Sequence, residues 1–71
     1  MPRFTYSPEV DILVVEFSEE RIDYAEDHGP LILHFSADGK LVSVEIMDAR
    51  RFLLSSLEAV MEKRQTDLVA E

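Results

Sequence analysis

The sequence predicts an α+β domain: an antiparallel meander sheet of about five short strands, with one C-terminal helix packed on one face. Three observations carry this reading. Two apolar runs flank Asp38-Gly39, short β-branched stretches recur between close turn signals, and the apolar period changes beyond Asp48. Closely spaced turn signals suit a meander, whereas parallel sheets need long helical crossovers.

The hairpin is the clearest element. Leu31-Ile32-Leu33-His34-Phe35 and Leu41-Val42-Ser43-Val44-Glu45-Ile46 flank Ser36-Ala37-Asp38-Gly39-Lys40. Asp-Gly between alternating apolar runs is a strong signal for a type I′ turn, which needs positive φ at both central residues. With Asp38-Gly39 as a two-residue loop, Phe35 faces Val42, Leu33 faces Val44 and Leu31 faces Ile46. A four-residue loop keeps the same pairing. A three-residue loop with a bulged Gly39 scatters the apolar set over both faces, and the pattern rejects it.

The earlier strands are shorter. Residues 3–6 form a first strand closed by Ser7-Pro8-Glu9, and residues 11–17, rich in Ile, Leu and Val, form the second. Ser18 to Arg21 reads as a turn, so that residues 21–25 return antiparallel with Phe17 opposite Ile22 and Val15 opposite Tyr24. Ala25 to Pro30 is acidic and ends in Gly-Pro, which reads as loop. The hairpin then occupies residues 30–36 and 40–47. Leu53, Leu57, Val60, Met61 and Leu68 follow helical spacing. Ser55 and Glu58 stand at capping-box spacing and place the helix at residues 55–65, with a start nearer Asp48 as the competing reading.

At 71 residues the chain makes one domain, residues 1–71. A chain of this size buries only about 60% of the surface that its unfolded form exposes. Small domains offset this deficit with disulfides, metals or oligomerisation. There is no cysteine, which removes disulfides and thiolate metal sites together. The opposite sheet face carries Ile12, Val14, Ile32, Leu41 and Met47 beside Glu16, His34, Ser43 and Glu45. That second apolar set points to a homodimer joined through this face or an edge strand.

Fifteen acidic residues against seven basic ones give a net charge of −8. Such a chain repels a phosphate backbone, so no nucleic-acid partner is expected. Arg50-Arg51 and Lys63-Arg64 read as solvated charges near helix ends. No run is long enough to span a membrane, and Met-Pro-Arg-Phe lacks the apolar region of a signal peptide, so the cytoplasm is the expected location.

Tyr6-Ser7-Pro8-Glu9-Val10-Asp11-Ile12-Leu13-Val14-Val15 resembles the opening of a small prokaryotic domain of unknown function, family 2283, which reads roughly Tyr-Asp-Pro-Glu-Ala-Asp-Ala-Leu-Tyr-Ile. Leu31 to Ala49, with Asp38-Gly39-Lys40-Leu41-Val42 and the ending Val44-Glu45-Ile46-Met47-Asp48-Ala49, is similar to its second half. Ser7 stands where the family has Asp, and His34 where an acidic residue is common. The resemblance implies a compact antiparallel sheet with a C-terminal helix and supplies no function.

No catalytic, cofactor or metal motif is present. The weak candidates are Glu16, His34 and Glu45 on the second face, where imidazole and carboxylates suit a divalent metal or acid–base work. The plainer reading is a cross-strand polar pair. Glu26, Asp27 and His28 read as a solvated loop, and Asp11 and Asp48 as strand-border residues bonding nearby backbone. Tyr6 and Tyr24 are expected half-buried with the phenol tip in water. Ser55 has a capping role. The favoured function is a non-enzymatic protein-interaction module acting as a homodimer, with a basic protein as a further partner. The alternative is a metal-binding or hydrolytic site at Glu16, His34 and Glu45.

Overall fold

The computed structural model describes residues 1–69, with side chains described through Lys63. Strands β1 (Arg3–Ser7), β2 (Ile12–Glu16), β3 (Tyr24–His28), β4 (Leu31–Phe35) and β5 (Leu41–Ile46) precede helix α1 (Ala49–Val69). The strands form one open antiparallel sheet in the order β1-β2-β5-β4-β3. The α+β class, the five short strands and the C-terminal helix are those the sequence predicts.

The partner of the third strand differs from the expected one. β2 lies against β5, with Leu13 opposite Ile46 and Val15 opposite Val44, so Tyr24 and Ile22 never reach β2. β3 runs instead along β4, from Tyr24 opposite Phe35 to His28 opposite Leu31. Ser18 to Asp23 lacks the Gly or Asn that a tight hairpin requires, whereas Gly29, with φ +64°, turns β3 tightly into β4. β5 also offers β2 a better apolar partner than the polar Ile22-Asp23-Tyr24 stretch. The acidic segment expected as loop is therefore an edge strand. Every residue of β3 is exposed, and charge on an exposed edge discourages further strand pairing.

The β4–β5 turn is the three-residue loop that the pattern rejects. Gly39 N–H donates to the Ser36 carbonyl at 3.0 Å, and Ser36 N–H donates to the Lys40 carbonyl at 2.9 Å. Gly39 has φ +84°, while neither Ala37 nor Asp38 has positive φ. This is a type I turn followed by a left-handed glycine, not a type I′ turn. The turn offsets the strands by one residue, and a bulge removes the offset. Phe35 pairs with Leu41 rather than Val42, the register then shifts, and His34 pairs with Ser43. Two irregularities cancel. Leu33 opposite Val44 and Leu31 opposite Ile46 hold as expected. Ser36 is buried at the turn, where its hydroxyl donates to the Asp38 carboxylate and accepts the Lys40 N–H at 3.3 Å.

The helix begins at Ala49, six residues before the expected start at Ser55. The Asp48 carbonyl accepts the Phe52 N–H at 3.0 Å, which places Asp48 at the N-cap. Ser55 lies in the second turn and does not cap. Val15, Ile46 and Ala49 form the core, with Leu13, Leu31, Val44 and Phe52 packed around them. The first turn of α1 thus packs on the first sheet face, but the helix then leaves it. Leu53, Leu54, Leu57, Val60 and Met61 are 46% to 59% exposed. The chain is correspondingly elongated, 48 Å by 30 Å by 23 Å. Leu68 lies outside the residues whose side chains are described.

Gly39→Ala is expected to lower the unfolding free energy by about 1 kcal/mol, because an L side chain is strained in the left-handed region. Gly39→Asn should lose less, since Asn tolerates that conformation. Urea denaturation of the two variants beside the parent checks both. Equal stability of Gly39→Ala and the parent would contradict the turn geometry.

Candidate functional site

The polar group that ties the sheet to the helix is Asp11, immediately before β2. Its φ of +56° is a left-handed conformation that Asp tolerates better than most residues. That twist aims both its carbonyl and its carboxylate at the start of α1. The carbonyl accepts the Ala49 N–H at 3.0 Å. Oδ1 accepts the Arg50 N–H at 3.2 Å, the Arg50 Nε–H at 3.3 Å and the Tyr6 hydroxyl at 2.7 Å.

The first N–H groups of a helix have no partner within it, and the helix dipole favours negative charge there. Asp11 satisfies two of them from the β1–β2 loop. The residue at the N-cap position, Asp48, has φ +48° rather than the extended conformation usual for a capping residue. The capping acceptor is thus supplied from 39 residues away in sequence.

The Tyr6 hydroxyl is the largest influence holding the Asp11 carboxyl below the usual carboxylate range, followed among the favourable ones by the Arg50 N–H and guanidinium. The hydrogen bond to Asp11 raises the Tyr6 phenol, and the same carboxylate raises the Arg50 guanidinium. The Arg50 side chain is exposed, so the ion pair itself adds little to stability. The backbone capping bonds contribute more, about 1 kcal/mol for a typical cap.

The sequence assigns Asp11 to bonds with nearby backbone, Arg50 to a solvated charge and the Tyr6 phenol tip to water; Asp11 instead bonds the Ala49 and Arg50 N–H groups across the fold, and Arg50 and the Tyr6 hydroxyl both bond its carboxylate. The signal for the link was the Tyr6 to Asp11 stretch together with the Asp48-Ala49 ending.

On the second face, His34 Nε2 and Glu45 Oε1 lie 2.7 Å apart, both side chains partly buried. Glu45 is the diagonal neighbour of His34, because Ser43 is directly opposite it. Glu16 also faces Ser43, from the other side. It therefore stands two strand spacings from His34, roughly 10 Å away across the sheet, and its carboxylate lies 3.8 Å from Arg3 instead. The structure brings together two of the three sequence candidates. Among the described residues, no three His, Cys, Asp or Glu side chains are grouped to hold a metal ion. Open depressions lie beside Met1, Arg3 and Glu16 and beside Pro30, Phe52 and Ser55, and neither of these includes His34 or Glu45. His28 pairs with Glu26 at 3.0 Å on exposed β3.

The arrangement defines a small α+β domain in which a loop aspartate fixes the start of a C-terminal helix. Residues 3–50 match the family described as a protein of unknown function (DUF2283), and the chain belongs to that family. The matched span contains Tyr6, Asp11, Ala49 and Arg50, every partner in the capping network. No curated protein and no solved structure matches the chain. Among the described residues, no helix is long and apolar enough to cross a membrane.

Asp11→Ala is expected to cost about 1–3 kcal/mol, combining a lost cap with a strained left-handed alanine. Asp11→Asn keeps an acceptor oxygen and should cost less than about 1 kcal/mol. Because the folded pKa of Asp11 is lowered, its contribution is complete above the unfolded carboxylate value near ~3.9 and is lost as pH falls through the folded value. Urea denaturation from pH 7 to pH 2 should show a shallower acid limb in Asp11→Asn. Superimposable limbs would remove Asp11 from the account of acid stability.

Proposed function

We propose that this chain is a non-enzymatic protein-interaction module that works as a homodimer in the cytoplasm. The observation that carries the reading is the apolar run along α1 from Leu53 to Met61, left about half exposed. A single chain exposing a contiguous patch of large apolar side chains is the usual mark of an interaction surface. Covering each of these side chains recovers about 1–2 kcal/mol. An 8.2 kDa chain without cysteine has few other means of stabilising itself. The net charge of −8 suits a basic protein as a further partner of the assembled dimer, by complementarity during encounter.

The second reading, a metal-binding or hydrolytic site, is favoured only by the His34–Glu45 contact. Two side-chain ligands, with no third His, Cys, Asp or Glu grouped with them among the described residues, make a weak start for either activity.

Sedimentation equilibrium at micromolar concentrations is expected to give twice the chain mass, and Leu57→Asp to give the monomer. A parent chain that stays monomeric at high micromolar concentration refutes the dimer. Thermal melts with Mn²⁺, Ni²⁺ or Zn²⁺ should superimpose on the metal-free melt. Stabilisation by one of these ions that disappears in His34→Ala would favour the second reading instead.

A further inference from the structure

We infer that the dimer is formed by reciprocal helix exchange, the α1 helix of each copy covering the exposed part of the first sheet face of the other. The inference rests on the homodimer reading and adds its geometry.

The first sheet face has a covered end and an open end. Ala49 and Phe52 pack beside Ile46, Leu13 and Leu31. Away from them, Phe4 is 64% exposed and Tyr24 42%, with the Tyr24 ring stacked on Phe35 at 5.1 Å between centroids. A sheet face of this kind is stable only against another layer.

The missing layer has a matching counterpart on the same chain. Ala49, Leu53, Leu57 and Val60 fall on one line of the helix at 3.6 residues per turn. The line starts fully buried at Ala49 and runs on into solvent. From Ala49 to Lys63 the helix measures roughly 22 Å, against roughly 19 Å across five strands.

The helix is held away from its own sheet. The Asp11 carbonyl and carboxylate set the position of its first two N–H groups, and the Asp48 φ of +48° sets the direction in which the chain enters it. Folding back onto Phe4 and Tyr24 would break these bonds. A dimer joined only through its helices would leave the sheet face in water. Exchange covers both apolar surfaces with one symmetric contact, the same patches meeting twice across a two-fold axis. A standard stable interface takes about 800 Å² from each partner, and the half-exposed helix stripe and the open part of the sheet face are the apolar surfaces that each copy brings to it.

The test combines affinity with an isotope-filtered NMR measurement on a mixture of labelled and unlabelled chains. Intermolecular contacts are expected from the methyl groups of Leu57, Val60 and Met61 to the rings of Tyr24 and Phe35. Phe4→Asp, a change at a well-exposed position on the sheet, is expected to weaken the dimer about tenfold or more, as Leu57→Asp does on the helix. An intact dimer whose intermolecular contacts run only from helix to helix, with Phe4→Asp leaving its dissociation constant unchanged, overturns exchange and spares the homodimer. The same methyl-to-ring contacts found within one chain overturn exchange as well. A monomer throughout overturns both.

Discussion

The structure depends on one carboxylate-bearing loop residue. Asp11 joins the end of the first hairpin to the beginning of the helix through its carbonyl and its Oδ1. Without such an acceptor, the first turn of α1 would place unsatisfied N–H groups beside the buried Ala49, where they cost more than they would in water. Tyr6 steadies the carboxylate from β1, and Arg50 closes over it from the helix. The first hairpin and the start of the helix, 39 residues apart, thus meet at one oxygen atom. The position of the core follows, because Ala49 and Phe52 reach Ile46 and Leu13 only when the helix starts here.

The hairpin was legible because alternation over two strands is a redundant signal. Leu33 opposite Val44 and Leu31 opposite Ile46 can be read from the apolar pattern alone. The turn type could not be read, because a bulge beside Val42 cancels the offset of the three-residue loop and leaves the pattern almost unchanged. β3, expected at residues 21–25, lies three residues further on at Tyr24–His28, for the opposite reason. Ala25-Glu26-Asp27-His28 has no apolar alternation, and an exposed edge strand does not need one. Its pairing is set by β4, not by its own side chains.

The helix start shows how a distant residue overrides a local signal. Ser55 and Glu58 form an acceptable capping box, yet Asp11 supplies its acceptor six residues earlier, where Ala49 can be buried. On the second face, His34 and Glu45 could be paired from register alone, since diagonal neighbours on adjacent strands are within reach. Glu16 shares the face but lies across Ser43, and its partner Arg3 comes from the neighbouring strand β1. Facing the same way is a weaker condition than meeting. The charges on the β3 edge have their own effect, for Glu26 and Asp27 make further strand pairing there unfavourable.

The long reach from Asp11 to Arg50 also bears on the order in which the chain folds. Nucleating a helix is costly, and most helical stability in a protein comes from tertiary packing. Here the nucleus is completed by a residue that takes its position only once β1 and β2 have paired and β5 has joined them. Capping of the helix is therefore coupled to pairing of the sheet, a contact of long sequence separation of the kind that slows folding. The cap on the apolar helix thus exists only where the paired strands present it.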